Sequence, residues 1–519
     1  MDAISFKNFR SFKEIDPVKL KKLNILIGGN SSGKSSFLRF FPLLRQSMET
    51  ETKGPILWYD KYVDFGTFDN AINRDSKGEE IVFGFLFDGS SYSKIESTMF
   101  GWEDFDEDTC HPTFEVKVYL KKRKSSWQTF MSKFECFIKW NLNETDHFVF
   151  DLNEKDPKIT VVYLNGIKLP FLISVDQNRI IPTIESTDPQ DEVDFPFGYF
   201  YAFPLEYVKA IRSILQNSNV KREKLTSIIK KIKPDSMSGF QVNVKRVFST
   251  VSITNDQISE LRNAWLINYL SQALFITRRA VQHVAHKIHY ITPTRANAER
   301  FYRLKDLQIK QVDFDGRNLA IFLNSLTDAQ KQEFSQWSQD NFGMSIKTKE
   351  KEGQLSIYVN DENTGVDENI IDTGFGYSQV LPIIASLWVA VNEQKEKGRP
   401  SLKIPRIFVI EQPELHLHPK LQAKLGAIFA KSVSIANQKD IDLRLVIETH
   451  SQTLVNKISR IVAYSESSLL DAFQVLIFDK NKKSTEIKVA TVDKGGNVLN
   501  WPYGFFEEDD IEMASVGDY

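Results

Sequence analysis

The chain of 519 residues has room for two to four domains at roughly 100 to 200 residues each, so it needs no disulfide or metal framework in place of a core. Hydrophobic residues make up 41% and charged residues 26%, and no uninterrupted apolar run approaches the roughly 20 residues that span a bilayer, so we expect a soluble protein of the cytoplasm that makes no membrane contact. Lys and Arg total 66 against 68 Asp and Glu, which excludes a global attraction for nucleic acid and leaves only local basic patches for DNA.

The N-terminal region predicts strands on either side of a glycine-rich turn. Ile4 and Phe6 alternate with polar neighbours, and Leu23 to Ile27 form an apolar run that two glycines end. We expect a helix to begin just beyond, near Ser36. From about 56 to 170 the hydrophobic pattern has period two, which predicts an antiparallel sheet with one face in water. This pattern is clearest at Phe114, Val116, Val118 and Leu120.

The hydrophobic period becomes helical between roughly 200 and 290, which predicts a helical subdomain. Its clearest apolar face contains Ile258, Leu261, Leu266, Tyr269, Leu270, Ala273 and Leu274. No heptad pattern lasts long enough for an extended coiled coil, so this insertion should be compact.

From 370 onward the pattern predicts alternating strands and helices. Buried strands are expected at Ile404 to Ile410 and Leu443 to Ile447, with a helix between them from about Pro419 to Val433. Both ends of the chain therefore look like parts of one parallel-sheet domain. We predict an α/β fold with a mixed sheet core, an antiparallel β region and a helical insertion, divided into residues 1–175, 176–288 and 289–519.

Residues 28–35 fit the phosphate-binding pattern G-x-x-x-x-G-K-[ST], between an apolar strand and an apolar helix. The glycines let successive backbone N–H groups and the helix N-terminus face the phosphates of a nucleotide. Lys34 is expected to reach the β and γ phosphates of ATP, and the Ser35 hydroxyl to ligate Mg²⁺. The other predicted nucleotide-binding residues of this segment are Asn30, Ser31, Ser32, Gly33 and Ser36.

A second acidic motif follows a buried strand. Ile407 to Ile410 lead into Glu411, as in the Walker B strand that carries the magnesium acid of P-loop ATPases. Glu411 is expected to hold Mg²⁺ through water. An ordinary core strand with a solvated end would give the same pattern, but the P-loop in the same chain favours the magnesium interpretation.

The motifs together resemble those of the ABC-type P-loop ATPases of the SMC, RecF and OLD group, in the subgroup linked to bacterial anti-phage defence. Their order and spacing along the chain match that group. The segments that carry the resemblance are Lys7 to Phe12, Gly29 to Ser36, Tyr290 to Arg295, Asp372 to Gln379, Ile410 to Pro419, Glu448 to Ser451 and Trp501 to Phe506.

The resemblance implies that ATP is bound between two copies of the chain. Residues 374–379 resemble the signature motif that meets the γ-phosphate held by the opposite subunit, through Gly374, Gly376, Ser378 and Gln379. A helix cap at Ser378 is the simpler alternative. His450 resembles the switch histidine near the γ-phosphate, although a histidine at a strand end is usually structural. Arg10 occupies the position that contacts adenine or ribose in the group.

Gln412 departs from the pattern of the group. Many members carry a carboxylate directly after the magnesium acid, and an amide cannot accept the proton of attacking water. Either Glu414 is the general base, or hydrolysis is slow and the nucleotide acts mainly as a latch on a scaffold. We favour Glu414, because the Glu-Gln-Pro-Glu form itself resembles a variant of the subgroup. His416 and His418 also suggest a metal site, which the turn into the following helix explains more simply.

No nuclease motif accompanies these segments. About seventy residues follow His450, and Asp479 does not begin the Asp-x-Asp pattern of a Toprim nuclease. The chain most resembles the PtuA ATPases of Septu and retron-linked systems, which implies a homodimer or higher oligomer and a separate PtuB-like HNH nuclease. DNA, or a reverse transcriptase with its non-coding RNA, are further partners to test. The AriA ATPases of PARIS, with a Toprim effector, and RecF-like repair ATPases are the alternatives.

Local basic clusters are the only sequence signal for DNA. Residues 121–124 fall where a hairpin turn is expected, and a solvated loop explains them more simply than a DNA contact. Clusters at 221–224 and 230–233 are expected on helices, where they could form a stripe for DNA phosphates or for an acidic partner.

Overall fold

The computed structural model describes residues 1–76, 78–89, 111–124, 126–156, 160–185, 204–216, 220–232, 235–305, 307–361, 365–392, 404–465, 469–481, 484–499 and 501. The chain divides into two compact units. The first comprises Met1–Lys19, Gln46–His286 and Pro400–Ile404, and the second comprises Leu20–Arg45, Lys287–Arg399 and Pro405–Tyr519. The segments 1–175, 176–288 and 289–519 remain a proposal for the domain organisation.

The strands are β1 (Ala3–Phe9), β2 (Phe12–Lys19), β3 (Leu23–Gly28), β4 (Ile81–Phe87), β5 (Thr113–Lys122), β6 (Thr129–Lys139), β7 (Thr145–Asp151), β8 (Thr160–Leu164), β9 (Ile167–Val175), β10 (Ile184–Glu185), β11 (Ile288–Ile291), β12 (Tyr302–Arg303), β13 (Met344–Lys351), β14 (Gln354–Asp361), β15 (Asp367–Asn369), β16 (Arg406–Glu411), β17 (Leu443–Glu448), β18 (Phe473–Lys480) and β19 (Thr485–Val489). The helices are α1 (Lys34–Leu38), α2 (Phe40–Glu49), α3 (Phe68–Ala71), α4 (Pro204–Leu215), α5 (Arg222–Lys231), α6 (Met237–Val247), α7 (Asn255–His286), α8 (Leu319–Ser325), α9 (Asp328–Phe342), α10 (Phe375–Asn392), α11 (Pro419–Gln438) and α12 (Gln452–Tyr464).

The first unit contains the predicted antiparallel sheet. Its strands lie in the order β10-β9-β8-β7-β6-β5-β4-β1-β2, and each neighbouring pair is antiparallel. Phe114, Val116, Val118 and Leu120 of β5 are fully buried, whereas the residues between them are partly exposed. The period-two prediction is confirmed from β4 onward, because alternate side chains of a strand point to opposite faces of the sheet. It is wrong for the start of the predicted range, where the short helix α3 precedes β4.

The predicted helical insertion is also confirmed. Helix α7 buries every residue of its predicted apolar face. The ring of Tyr269 stacks on Trp265 and on Phe114 of the sheet, at centroid distances of 4.9 and 6.5 Å. Beside them Arg262 is buried, donates to Asp146 at 3.0 Å and lies over the Trp140 ring. Aromatic packing thus joins the helices to one face of the sheet.

The second unit joins β3 and the C-terminal strands in one sheet, as predicted, whereas β1 and β2 belong to the antiparallel sheet of the first unit. The strands of the sheet in the second unit lie in the order β11-β16-β17-β3-β18-β19. The first five are parallel to one another, and β19 pairs antiparallel with β18. Strand β3, near the N-terminus, is thereby enclosed by strands from the last fifth of the sequence. The predicted fold class, an α/β ABC-type P-loop fold with a mixed sheet core, is confirmed.

Several predicted element boundaries require correction. The strand expected from Ile404 begins at Arg406, and the helix expected from Pro419 to Val433 extends to Gln438. The helix after the P-loop begins at Lys34 and is interrupted at Arg39, so α1 and α2 are separate helices.

A second, smaller sheet in this unit pairs β13 and β12 with β14, and β15 also pairs with β14.

Helix α10 is a long apolar helix of the second unit. By length and composition it could cross a membrane, but 72% of its residues are buried inside the protein. Leu381, Ile384 and Leu387 are fully buried in the core that covers one face of the parallel sheet. A helix that is apolar all round suits such a buried position.

Candidate functional site

The P-loop follows β3 and leads directly into α1. Gly28 has a φ of +147°, and a Cβ atom there would lie 2.3 Å from the carbonyl oxygen of Phe478. Lys34 Nζ donates to the carbonyl oxygens of Gly28 and Gly29, at 2.7 and 2.8 Å. Burial lowers the pKa of Lys34, although the carboxylate of Glu448 opposes this shift. The lysine is thus placed inside the loop by the loop's own backbone.

The other predicted P-loop residues surround Lys34. Asn30 and Ser31 are exposed, Gly33 precedes α1 in a left-handed conformation, and Ser36 lies within α1. Ser32 is 3% exposed, and its hydroxyl has no hydrogen-bond partner among the described residues. Exposed backbone and an unsatisfied hydroxyl at a helix N-terminus form a surface suited to phosphate.

Two carboxylates lie side by side at the ends of neighbouring parallel strands. Glu411 ends β16, Glu448 ends β17, and the two residues are paired in the strand register. Both are 2% exposed. Ser35 Oγ donates to Glu448 Oε1 at 2.9 Å. The sequence predicted Glu411 for this acidic site and gave Glu448 no role.

Glu411 is enclosed by two other side chains. Arg39 donates to Oε1 and Oε2 of Glu411 at 2.7 and 2.8 Å. The hydroxyl of Tyr290 donates to Oε1 at 2.8 Å. The hydrogen bond to Glu411 raises the pKa of Arg39. Both oxygens of Glu411 are therefore engaged by a bidentate partner, the strongest geometry for such a pair.

The surroundings of Glu448 differ from those of Glu411. Burial, and then repulsion from Glu411, raise the pKa of Glu448 to about 7, while Ser35, Lys34 and Arg39 act against the rise. Its Oε2 atom is buried and has no hydrogen-bond partner among the described residues. A buried carboxylate with one unsatisfied oxygen is an energetically unfavourable arrangement unless a cation or proton compensates it.

Gln412 and Glu414 lie in the turn between β16 and α11. Gln412 has a φ of +41°, and its backbone N–H donates to the carbonyl oxygen of Glu448 at 2.9 Å. Glu414 Oε1 accepts a hydrogen bond from the backbone N–H of His450 at 2.7 Å. Glu414 is 9% exposed, its Oε2 has no partner among the described residues, and burial raises its pKa. The turn thus places the buried carboxylate of Glu414 near the end of β17.

Arg295 brings a positive charge to this turn. It is 3% exposed, and Nη2 donates to the carbonyl oxygen of Gln412 at 3.4 Å. Its Nε and Nη1 atoms have no partner among the described residues. Burial lowers the pKa of Arg295 to about 10, and Glu414 opposes the shift. A buried arginine and a buried glutamate therefore stabilise each other's charged forms here.

His450 lies between β17 and α12, next to the P-loop lysine. Burial, and then the charge of Lys34, lower the pKa of His450, so that its neutral form is favoured at neutral pH. The adjacent Ser451 begins α12 by accepting a hydrogen bond from the N–H of Leu454 at 3.0 Å. His450 is thus fixed at the edge of the sheet that carries Glu414 and Glu448.

The two histidines after Glu414 have local roles. His418 Nδ1 accepts a hydrogen bond from the N–H of Lys420 and so caps α11. The His416 ring packs edge-on against Phe375, with centroids 5.1 Å apart. Within the described parts of the chain, no three His, Cys, Asp or Glu side chains are grouped as metal ligands.

The signature-like segment forms the start of α10. Gly374 has a φ of +90°, and α10 begins at Phe375. Ser378 lies inside the first turn, where its hydroxyl donates to the carbonyl oxygen of Phe375 at 2.7 Å, so Ser378 is not the helix cap that we considered as an alternative. Gln379 is buried and its Nε2 has no partner among the described residues. A Cβ atom at Gly376 would lie 3.3 Å from the side chain of Leu421 and 3.5 Å from that of Leu417.

Arg10 lies in the first unit, in the turn between β1 and β2. It has a φ of +54°, and Nη1 donates to the carbonyl oxygen of Asn70 at 2.8 Å. Its guanidinium lies over the Phe65 ring at 5.7 Å. The predicted contact of Arg10 with adenine or ribose remains a prediction.

The basic cluster at 121–124 lies in the hairpin between β5 and β6, as expected. Lys121 pairs with Glu80 at 3.0 Å, Lys122 pairs with Asp69, and Arg123 donates to the backbone of Glu154. These ion pairs agree with an ordinary solvated hairpin. Of the helical clusters, Lys231 ends α5, whereas Lys233 lies outside the described residues, as do residues 502–506 of the resemblance.

Four residues of the site received no role from the sequence. Arg39, Tyr290 and Arg295 act through contacts that only the tertiary structure brings together. Glu448 could have been found, because it ends the buried apolar strand β17 in the way that Glu411 ends β16.

Two family models match successive parts of the chain. The family model described as an AAA ATPase domain matches residues 1–455, and one described as a protein of unknown function (DUF3696) matches residues 472–515. A search of curated protein sequences gives no match.

Similar solved structures are heads of SMC proteins. One is the Smc head bound to the C-winged helix domain of ScpA, with 10% identity and a TM-score of 0.34, covering 95% of this chain and 98% of that chain. A second is the Smc head with an extended coiled coil bound to the C-terminal domain of ScpA derived from Pyrococcus furiosus, with 11% identity, 94% and 95% coverage and a TM-score of 0.32. A third is the SMC head domain from Thermotoga maritima, with 8% identity, 95% and 99% coverage and a TM-score of 0.33.

Proposed function

Because the chain belongs to the AAA ATPase domain family, we propose that it binds ATP with Mg²⁺ at the P-loop and hydrolyses it to ADP and phosphate. The observation that carries this proposal is the grouping of Lys34 and Ser35 with two buried carboxylates at the carboxyl edge of one parallel sheet. Open parallel sheets bind ligands at this edge, and P-loop sites place their acid there.

The donor set at this edge fits Mg²⁺. Ser35, Glu411 and Glu448 offer hydroxyl and carboxylate oxygens, which are the ligands that this cation prefers. The Oε2 atom of Glu448 is a buried oxygen without a partner among the described residues, and a bound cation would satisfy it. When bound, Mg²⁺ would neutralise phosphate charge. Lys34 would hold the β and γ phosphates, and Asn30 to Ser36 would surround them with backbone N–H groups.

Glu414 is the proposed general base. Gln412 carries an amide, which cannot accept the proton of attacking water. Glu414 Oε1 is fixed by the backbone of His450, which leaves Oε2 as its open acceptor. Arg295 favours the ionised form of Glu414, which is the form that a base requires. His450, next to Lys34, is proposed to contact the γ-phosphate or the attacking water.

We propose that ATP brings two copies of the chain together through the signature-like segment. Gly374 and Phe375 are exposed, and Phe375 and Ile371 expose 47% and 45% of their surfaces. Large apolar side chains at a glycine-rich helix start suit a surface that another subunit covers. Gly374, Gly376, Ser378 and Gln379 would then face the γ-phosphate of the opposite subunit.

For the biological role, we propose a subunit of a bacterial anti-phage defence complex that senses infection and controls a separate nuclease. The support is the sequence resemblance to PtuA ATPases, above all the Glu-Gln-Pro-Glu form at 411–414. A PtuB-like HNH nuclease is the first partner to test. The gene beside this one separates the alternatives: a Toprim gene favours an AriA-like role, and replication genes favour a RecF-like role in DNA repair.

The direct test of the enzyme is phosphate release from ATP by the purified protein, Lys34→Ala and Glu414→Gln. Exposed residues provide matched controls, since Lys351 and Glu352 expose 86% and 84% of their side chains. We expect turnover to be lost in both site variants and unchanged in Lys351→Ala and Glu352→Gln. Tight ATP binding without turnover in the wild type would instead establish a nucleotide-latched scaffold, and wild-type turnover in Glu414→Gln would remove Glu414 from the base role.

A further inference from the structure

Strand β17 separates the P-loop from the acid that the sequence predicted as the magnesium residue. In the sheet, β17 lies between β16, which ends at Glu411, and β3, which leads into the P-loop. Glu448 pairs in register with Glu411 on one side and with Leu26 on the other. The carboxylate that stands next to the P-loop is therefore that of Glu448.

The hydrogen bonds distinguish the two acids. Ser35, the P-loop hydroxyl, donates to Glu448 at 2.9 Å. Both oxygens of Glu411 are instead occupied by Arg39, and Oε1 also accepts from Tyr290. Glu448 keeps Oε2 without a partner among the described residues. Of the two carboxylates, Glu448 has the open oxygen and the direct link to Ser35.

A purely structural role does not account for this arrangement. Two carboxylates at adjacent positions of a buried sheet repel each other, and removing each from water is unfavourable. If Glu448 served only to accept the Ser35 hydrogen bond, the neutral amide of glutamine would do so without repelling Glu411. A second negative charge at this point is useful where a cation binds.

We propose that Glu448, beside Ser35, is an acidic ligand of the divalent cation that accompanies ATP, while Arg39 and Tyr290 keep Glu411 as the neighbouring, indirect carboxylate. This inference rests on the proposed function, because it requires that the P-loop binds ATP with a cation. It concerns which of the two acids binds the cation, and it adds a residue to the site that the sequence prediction lacked.

The test measures cation affinity rather than turnover. Mn²⁺ binding to the protein with a non-hydrolysable ATP analogue is followed by electron paramagnetic resonance, and analogue binding alone is followed by calorimetry in EDTA. Glu448→Gln retains an acceptor for Ser35 and removes the charge. Glu414→Gln is the matched control, since it removes another buried carboxylate from the same edge of the sheet.

We expect Glu448→Gln to weaken Mn²⁺ binding at least tenfold and to leave analogue binding in EDTA within twofold of the wild type. Glu414→Gln should change Mn²⁺ affinity less than twofold, and Glu411→Gln less than Glu448→Gln. If Glu448→Gln does not fold, Glu448→Asp replaces it, and its shorter side chain should still weaken Mn²⁺ binding severalfold.

Two results would contradict the proposal, and they can be distinguished from each other. Wild-type Mn²⁺ affinity in the folded Glu448 variants, with a loss in Glu411→Gln, would overturn the assignment of Glu448 and leave the proposed ATPase intact. Failure of the wild type to bind the analogue with Mg²⁺ or Mn²⁺ would overturn the ATPase proposal and this assignment together.

Discussion

Arg39, the residue between α1 and α2, donates hydrogen bonds to both carboxylate oxygens of Glu411 at the end of β16. The pair is asymmetric, because the side chain of Arg39 is 42% exposed and that of Glu411 only 3%. The break between the two helices at Arg39 thus coincides with the contact that places a positive charge beside two buried acids.

This pair predicts a measurable coupling in stability. Arg39→Gln should lower the free energy of unfolding by about 1 to 3 kcal/mol, because it leaves Glu411 buried without its partner, and the exposure of Arg39 reduces the effect below that of a fully buried pair. Adding Glu411→Gln should recover part of the loss. Urea unfolding of the two single variants and the double variant measures the coupling, and strictly additive effects would contradict it.

The acidic limb of the pH profile for ATP hydrolysis should depend on the charge of Arg295. Burial raises the pKa of Glu414 and Arg295 lowers it, and a base acts only above its pKa. Arg295→Gln should therefore move the acidic limb to higher pH, while Arg295→Lys keeps it near the wild-type position. Arg317, whose side chain is 80% exposed, supplies the control Arg317→Gln. An unchanged limb in Arg295→Gln would show that Arg295 does not tune Glu414.

Adjacent glycines of the P-loop should respond differently to alanine. At Gly28 a Cβ atom would meet the Phe478 backbone at 2.3 Å, whereas at Gly29 nothing lies within 4 Å. Gly28→Ala should destabilise the protein by about 2 kcal/mol or more, and Gly29→Ala by less than about 1 kcal/mol. Thermal unfolding without nucleotide compares the two, and equal melting temperatures would contradict the close packing of β3 against β18.

The exposed start of α10 predicts an ATP-dependent dimer. Phe375→Asp should abolish the mass increase that ATP produces in the slowly hydrolysing Glu414→Gln background, because it places a charge in an apolar contact. Leu142, which is fully exposed on a hairpin of the first unit, gives the matched control Leu142→Asp. Light scattering measures the mass. A dimer that persists in Phe375→Asp would place the contact elsewhere.

His289 should lower the free energy of unfolding as the pH decreases. Burial, with repulsion from Arg45, Lys287 and Arg406, lowers the pKa of His289 from its ordinary 6.5 to about 3. Below pH 6.5 the unfolded chain takes up a proton that the folded chain refuses, so the contribution of His289 to stability falls as the pH decreases from 6.5 toward 3.

Replacing His289 should remove this dependence. In His289→Leu the decrease in the free energy of unfolding between pH 6.5 and 5 should be smaller than in the wild type by about 1 kcal/mol. The exposed His286, at the end of α7, provides the control His286→Gln. Chemical unfolding at both pH values measures the difference, and the same decrease in His289→Leu as in the wild type would contradict it.

Sequence patterns were sufficient for the fold where one period extends over many residues. The alternation around Val116 and the helical face around Leu266 each repeat often enough to identify a buried face. The P-loop was found because backbone geometry restricts which residues fit at Gly28 and Gly33. Boundaries were less certain, and the break between α1 and α2 at Arg39 was not expected from the sequence.

The acid arrangement at the site could not be predicted from motif order. The sequence gave the magnesium role to Glu411, because Glu411 ends a strand that resembles a Walker B strand. In the sheet, β17 lies between the two segments, and its last residue is also a glutamate. Which of two acids contacts Ser35 depends on strand order, and strand order is a property of the assembled sheet.

The enclosed position of β3 also has a consequence for biosynthesis. Lys21, just before β3, donates to the backbone of Phe473, a residue 452 positions later. At a translation rate of 5 to 20 residues per second, the nascent P-loop strand waits roughly 20 to 90 seconds for the partners on both of its sides. Until then its apolar residues have no sheet to join. We therefore expect the nucleotide site to form on the ribosome only after β17 and β18 have emerged.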